Sequence, residues 1–348
     1  MKICLLTIWH EMNYGAELQA YATVRVLQEM GHQVEMIDIR LSDCHKSNTI
    51  GRIGRVLSSF GPAYRKFDSF WKHYIPVTKR YYSMDSIQAD PPQGDVYLVG
   101  SDQVWNPDLT GDFAKLFFLN FGGDQVRRVS YASSFGTTKW EGGELTEEVS
   151  YLLQRFSHIS CREQSGVKIL HTFGIESRVV LDPTLLLEEY SALTGSLYSK
   201  NTLVYYPLSD DPELANYASA LSKQLGLELI NNNRTSTLFG HFTWDRVGIE
   251  EWVRNIAESA FVITRSFHGL VFCIVYKKPF AIIANKNNRG SRINNLLEQL
   301  NLKNRYFDSI QECTEARPWN QSIDYEAVYS KLKLLRIESI NFLSGALK

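Results

Sequence analysis

Short apolar runs alternate along the chain with stretches whose apolar positions recur every three or four residues, and the two periods predict different elements. "KICLLTI" at residues 2–8 is a run of strand type. "AELQAYATVRVLQEMG" follows, with Leu18, Tyr21, Ala22, Val24 and Leu27 at helical spacing and Gly31 as a stop. "QVEMIDI" alternates as a second strand, and "DVYLVG", "RRVSYASSF", "HISC" and "RVVLDP" read as further strands, with a helix over about 145–156. A second series opens at "NTLVYYPL", passes through a helix ending near Gly226, and reaches the strand "LELIN". It closes with a helix around "IEEWVRNIAESA", the strand "FVIT", another helix and the strand "FAII". Such alternation predicts parallel sheets joined by crossover helices. At 348 residues the chain exceeds what one hydrophobic core usually supports. The expected class is therefore α/β, with one Rossmann-like domain over residues 1–190 and a second over 200–322. Residues 323–348 read as a helix packing across the domains.

One segment breaks the rhythm. Residues 42–82 hold Lys46, Arg52, Arg55, Arg65, Lys66, Lys72, Lys79 and Arg80 against Asp43 and Asp68. Phe60, Tyr64, Phe67, Phe70, Trp71 and Tyr74 are interleaved with them. The segment reads as a helical insertion whose aromatics pack on the body and whose charges face water. The sharper alternative is a basic rim that attracts an anionic glycan or a lipid-phosphate carrier.

Composition narrows the function classes. Hydrophobic residues make up 44% and charged residues 22%, with a net charge of -1, which gives no case for a nucleic-acid binder working by bulk charge. The apolar run at the N-terminus is too short and too soon interrupted by His10 and Glu11 for a signal peptide. No stretch approaches the roughly 18 apolar residues of a membrane span, so a cytoplasmic protein with at most peripheral membrane contact is expected. Five scattered cysteines without CxxC spacing read as reduced thiols, not as a disulfide framework or a zinc site.

In α/β sheets, ligands sit outside the carboxyl ends of strands, so polar residues directly after strands carry the information. In "WHEMNYGAELQAYA", Asn13 and Glu17 offer hydrogen bonds to a ligand, or Asn13 simply caps the helix. In "SDQVWNP", Gly100 before it permits an unusual backbone angle, while Asp102 and Trp105 suit sugar hydroxyls and a sugar face; a turn capped by Asp102 is the structural alternative. "YASSFG" adds Ser133 and Ser134 as donors. In "ISCREQSGVKIL", Arg162 opens a helix, where a cation opposes the macrodipole. It either holds an anion or pairs with Glu163 or Asp182. In "FVITRSFHGLVFCIVYKKPFAII", Arg265, Ser266 and His268 stand between a buried strand and a helix, with Gly269 directly after. Burying a cation is expensive unless something pairs it. If the two domains face a cleft, Arg162 and Arg265 converge on a small polyanion, and His268 can give and take a proton near neutral pH. No carboxylate–histidine cluster argues for a metal, and no GxGxxG fingerprint is present.

The ordered set "NYGAELQAYA", "VGSDQVWNP", "YASSFG", "REQSGV", "LDPT", "SFHGLVF" and "SRINNLLEQLNL" resembles the polysaccharide pyruvyl transferases, over about residues 1–305. The resemblance implies a glycosyltransferase B-like fold, two Rossmann-like domains facing a cleft. It also implies transfer of the pyruvyl group of phosphoenolpyruvate to a sugar of a cell-surface or exopolysaccharide, or of its lipid-linked precursor. The product is a cyclic ketal, phosphate leaves, and neither cofactor nor metal is needed. The family's histidine falls on His268 and the arginine of its RE motif on Arg162. The donor site implied is Arg162, Ser266, Phe267 and Arg265; the acceptor site is Asn13, Glu17, Asp102 and Trp105. Relatives that hold the donor with a second arginine carry it two positions before the histidine, where this chain has Ser266, so Arg265 is displaced by one. Two other readings fit the same architecture: a nucleotide-sugar-dependent glycosyltransferase and a non-catalytic glycan-binding protein.

Overall fold

A computed structural model describes residues 1–41, 56–238, 242–284 and 291–348. Asp43, Cys44, Lys46, Arg52 and Arg55 of the basic segment lie outside the described residues. The chain divides into two compact units. Unit 1 comprises Met1–Ile50, Asp68–Leu187 and Leu334–Lys348; unit 2 comprises Gly51–Phe67 and Glu188–Lys333.

Unit 1 is built on seven strands: β1 (Lys2–Leu6), β2 (Gln33–Asp38), β3 (Val77–Arg80), β4 (Val96–Val99), β5 (Arg127–Ser133), β6 (His158–Cys161) and β7 (Arg178–Val179). Their order is β3-β2-β1-β4-β5-β6-β7, and every pairing is parallel. Helices cover both faces of such a sheet, which is why the central strands read as unbroken apolar runs. All four residues of β4 are buried. Unit 2 carries β8 (Thr202–Tyr206), β9 (Glu228–Asn231), β10 (Thr235–Leu238), β11 (Phe242–Arg246), β12 (Phe261–Thr264), β13 (Phe280–Ile283) and β14 (Tyr306–Phe307). Five of these form a parallel sheet in the order β14-β13-β12-β8-β9, and β10 and β11 make a separate antiparallel pair.

The α/β class is as expected, with three differences. The 42–82 stretch is not wholly an insertion: after the helix Pro62–Tyr74 it supplies β3, which pairs with β2 through Met36↔Val77 at the sheet edge. An edge strand with exposed or half-buried positions gives little apolar signal, which hides it in sequence. Phe67, Phe70 and Trp71 of that helix are buried, whereas Phe60 is 64% exposed. The β10–β11 hairpin escaped notice for the same reason as β3, since Thr235, Ser236 and Thr237 all face water. "RVVLDP" yields only two strand residues, because Asp182 caps the turn Pro183–Leu185.

Each sheet reverses its strand order once beside its first strand, between β1 and β4 and between β8 and β12. These switch points are where doubly wound sheets take their ligands.

Candidate active site

At the switch point of unit 2, β12 ends in Thr264, whose Oγ1 donates to the Tyr206 carbonyl at the end of β8 (2.8 Å). The Ser266 N–H donates back to that hydroxyl oxygen (3.0 Å). Ser266 caps the helix Phe267–Val275, its Oγ accepting from the Gly269 N–H (3.3 Å). A Cβ at position 269 would collide with the Thr264 side chain, so glycine lets the helix start close against the strand end. The first turn thus carries Phe267 and His268 in fixed places, their rings edge to face at 5.2 Å. His268 is 8% exposed. Unpaired N–H groups and the macrodipole make such a turn favourable to an anion.

Arg265 points elsewhere. Its Nε pairs with Asp211 (2.7 Å) and its Nη1 donates to the Ala284 carbonyl. Asp211 in turn caps the helix Pro212–Leu225. The buried cation after β12 is therefore neutralised inside its own unit, and the donor-binding role expected for Arg265 does not fit it as packed. Arg292, on the helix Ser291–Gln299, has its guanidinium 5.8 Å from the Phe267 ring centroid. It is the arginine of "SRINNLLEQLNL", to which the sequence reading assigned no role.

In unit 1, Arg162 follows β6 and is buried. Its Nη1 donates to Asp182 Oδ2 (2.8 Å) and to Ser101 Oγ (3.2 Å). Asp102 Oδ1 stands 3.6 Å from Nη2, and Glu163 Oε2 stands 3.9 Å from Nε. The pairing alternative raised for Arg162 is realised, with three carboxylates around one guanidinium. Asp182 also accepts from the Thr184 N–H and hydroxyl, so both its oxygens are engaged.

Other expected positions are absorbed by structure. Trp105 has no exposed surface; it donates from Nε1 to the Phe117 carbonyl (2.9 Å) and stacks on Phe118. A ring in the core cannot lie beneath a sugar, which corrects its acceptor assignment. Ser133 Oγ donates to the Gly100 carbonyl (3.1 Å) and Ser134 Oγ to Glu163 Oε1 (2.7 Å), so neither hydroxyl is aimed at a ligand. The unusual backbone angle near Gly100 belongs to Asp102, at φ 84°.

Asn13 is exposed and caps the helix Tyr14–Glu29, accepting from the Gly15 and Ala16 N–H groups. Glu17 is fully buried and accepts from Trp71 Nε1 (2.7 Å) and from the His10 and Glu11 N–H groups (3.2 and 2.9 Å). It ties the β1 loop to the helix Pro62–Tyr74 and is not open to an acceptor. Burial pushes its carboxyl up to about 7, although all three donors favour the ionised form. His10 stacks on Trp71 at 3.4 Å, and burial, with Arg40 and Arg80 nearby, drives it down to about 3, so it stays neutral.

Among the described residues no group of three or more His, Cys, Asp or Glu side chains is placed to hold a metal ion, and no helix is long and apolar enough to cross a membrane.

Residues 13–287 match the family described as polysaccharide pyruvyl transferase. No curated protein matches the chain. Among solved structures it is similar to a Methanocaldococcus jannaschii UDP-GlcNAc 2-epimerase in complex with UDP-GlcNAc and UDP, with TM-score 0.53 and 13% identity over 96% of this chain and 99% of that one. It is also similar to S. aureus MnaA bound to UDP, with TM-score 0.55 and 11% identity over 95% of this chain and 90% of that one. At such identities the likeness speaks to fold alone, and the fold is the glycosyltransferase B-like class expected from the sequence.

Proposed function

The chain belongs to the polysaccharide pyruvyl transferase family, and from that premise we propose that it moves the pyruvyl group of phosphoenolpyruvate onto a sugar of a cell-surface polysaccharide or its lipid-linked precursor. The observation that carries the reading is the first turn of the helix Phe267–Val275, where a proton-transferring side chain, His268, sits on an anion-favouring helix start at a switch point. Phosphoenolpyruvate carries a carboxylate and a phosphate, each a good partner for helix N–H groups and a guanidinium. We assign the donor to Ser266, Phe267 and His268 with Arg292 as the cation, in place of Arg265. His268 protonates the methylene carbon, which leaves an oxocarbenium-like centre at C2. One sugar hydroxyl adds there and gives up its proton, which departs with the phosphate as the C–O bond to phosphate breaks; the second hydroxyl then adds at C2 and returns its proton to His268, closing the cyclic ketal.

A nucleotide-sugar reading competes, because both structural neighbours described above are bound to UDP. Thermal-shift titration with phosphoenolpyruvate, UDP and a panel of UDP-sugars separates the two. The pyruvyl reading expects stabilisation by phosphoenolpyruvate, and phosphate release on adding methyl hexopyranosides. Stabilisation by UDP alone would replace that reading with glycosyl transfer.

A further inference from the structure

In unit 1, at the edge of the sheet farthest from β3, a cavity of about 300 Å³ opens at the amino ends of β6 and β7, where His158 and Arg178 begin the two strands. That is the small end of the range for ligand sites, with room for one sugar unit. It lies at the end of the sheet opposite the carboxyl ends, where switch-point ligands bind. Leu153, Phe156, Ile159, Ile175 and Phe342 give it an apolar wall. The Arg178 guanidinium stands over the Phe342 ring (5.7 Å to the centroid), and the His158 ring meets the same ring edge to face (6.3 Å). Among the described residues the side chains of Arg178 and His158 make no hydrogen bond or ion pair, and neither do those of Gln154 and Glu176, which also line the cavity. Ser177 Oγ, in the same lining, is buried and has no hydrogen-bond partner among the described residues. Such a hydroxyl is ordinarily met by a water or a ligand.

We propose that this cavity holds an acidic sugar unit of the polysaccharide, with Arg178 on its carboxylate and Glu176, Gln154 and His158 on its hydroxyls. The ligand class follows from the set of open groups. A guanidinium whose N–H fork is unspent suits a carboxylate, which it grips bidentately. A simple anion would meet Glu176 as a like charge, whereas a sugar brings hydroxyls that donate to that carboxylate. The carbons of the sugar ring suit the apolar wall. Two sources supply such a unit: a hexuronic acid of the polymer, and a sugar that already bears the pyruvyl ketal, whose carboxylate survives the transfer. The second source rests on the pyruvyl-transfer reading above. A second hold on a polymer makes its later encounters with the same chain intramolecular, which raises the effective concentration of acceptor.

The test is isothermal titration calorimetry of the full chain with three methyl glycosides: one bearing a pyruvyl ketal, a hexuronoside, and a neutral hexopyranoside. At least one acidic glycoside should bind about tenfold or more tighter than the neutral one, and Arg178→Gln should abolish that preference. Arg178 is exposed and outside the proposed donor site, so the variant should keep its melting temperature and its phosphate release from phosphoenolpyruvate and methyl hexopyranosides. Glu176→Ala should weaken the acidic glycoside severalfold; tighter binding would mean that the cavity reads any small anion, and overturns the sugar assignment. Preference for the ketal over the hexuronoside assigns the cavity to the modified unit, and the reverse assigns it to a uronic acid. Equal binding of acidic and neutral glycosides, no binding of any, or a preference that survives Arg178→Gln overturns the proposal. Absence of phosphate release from the wild type is a separate failure. It overturns pyruvyl transfer and the ketal source with it, and leaves the hexuronoside to decide the cavity.

Discussion

After β6 the chain buries Arg162 among Asp102, Glu163 and Asp182, whereas after β12 it buries Arg265 against Asp211 and leaves the next turn to Ser266, Phe267 and His268. In sequence the two places look alike: a strand, an arginine, a helix. In the fold both arginines are neutralised at home, because an unpaired buried guanidinium is too costly to keep. What differs is the company each place keeps: three carboxylates stand within 4 Å of the Arg162 guanidinium, whereas the turn after Arg265 is a helix start with Arg292 5.8 Å from the Phe267 ring. A strand-end arginine is by itself no evidence of an anion site.

The sharpest way to break this comparison is at His268. His268→Gln keeps a polar side chain but removes the proton carrier, so pyruvyl transfer should fall about 10²- to 10⁴-fold with the melting temperature held. If a lowered melting temperature accounts for all the lost activity, the histidine is only packing and unit 2 loses its catalytic claim. Next comes Arg162→Ala. Removing the guanidinium leaves Asp182 and Glu163 buried without their counter-charge, at a cost of roughly 3–5 kcal/mol in chemical denaturation. A variant that stays stable and only binds phosphoenolpyruvate poorly would erase the contrast between the units.

Glu17 sharpens the picture of unit 1 through pH. Its folded value near 7 lies above its ordinary 4.5, so the folded state holds a proton that the unfolded chain has released. That contribution is complete below about pH 4.5 and is lost as pH rises through 7, amounting to roughly 3 kcal/mol across the window. Glu17→Gln should flatten the decline of stability between pH 5 and 8; an unchanged slope would mean the carboxyl is already ionised. The smallest effect separates two arginines of unit 2. Arg292→Ala should raise the apparent KM for phosphoenolpyruvate about tenfold, while Arg265→Ala should change it by less than about threefold and cost roughly 1–2 kcal/mol of stability. Reversed outcomes would restore Arg265 to the donor.

The α/β class and most strands were legible because a parallel strand covered on both faces is mostly apolar, and "FVIT" and "FAII" are buried strands to the residue. So were the places where chemistry belongs, since polar residues after apolar runs mark strand ends. Neither β3 nor the β10–β11 hairpin could be read, because strands with exposed positions need no apolar period. Side-chain occupancy was equally hidden. Trp105 looked like a sugar platform and is core; Glu17 looked like a ligand contact and is consumed by Trp71, which stands 54 residues away in sequence. Asp211 takes Arg265 across a similar separation in sequence. The sequence alone determined the buried strands and the helices between them, because buried strand and helix follow local period and caps. Only the tertiary structure decided which polar groups stay available, because hydrogen bonds and ion pairs saturate, and the partners that saturate them arrive from distant parts of the chain.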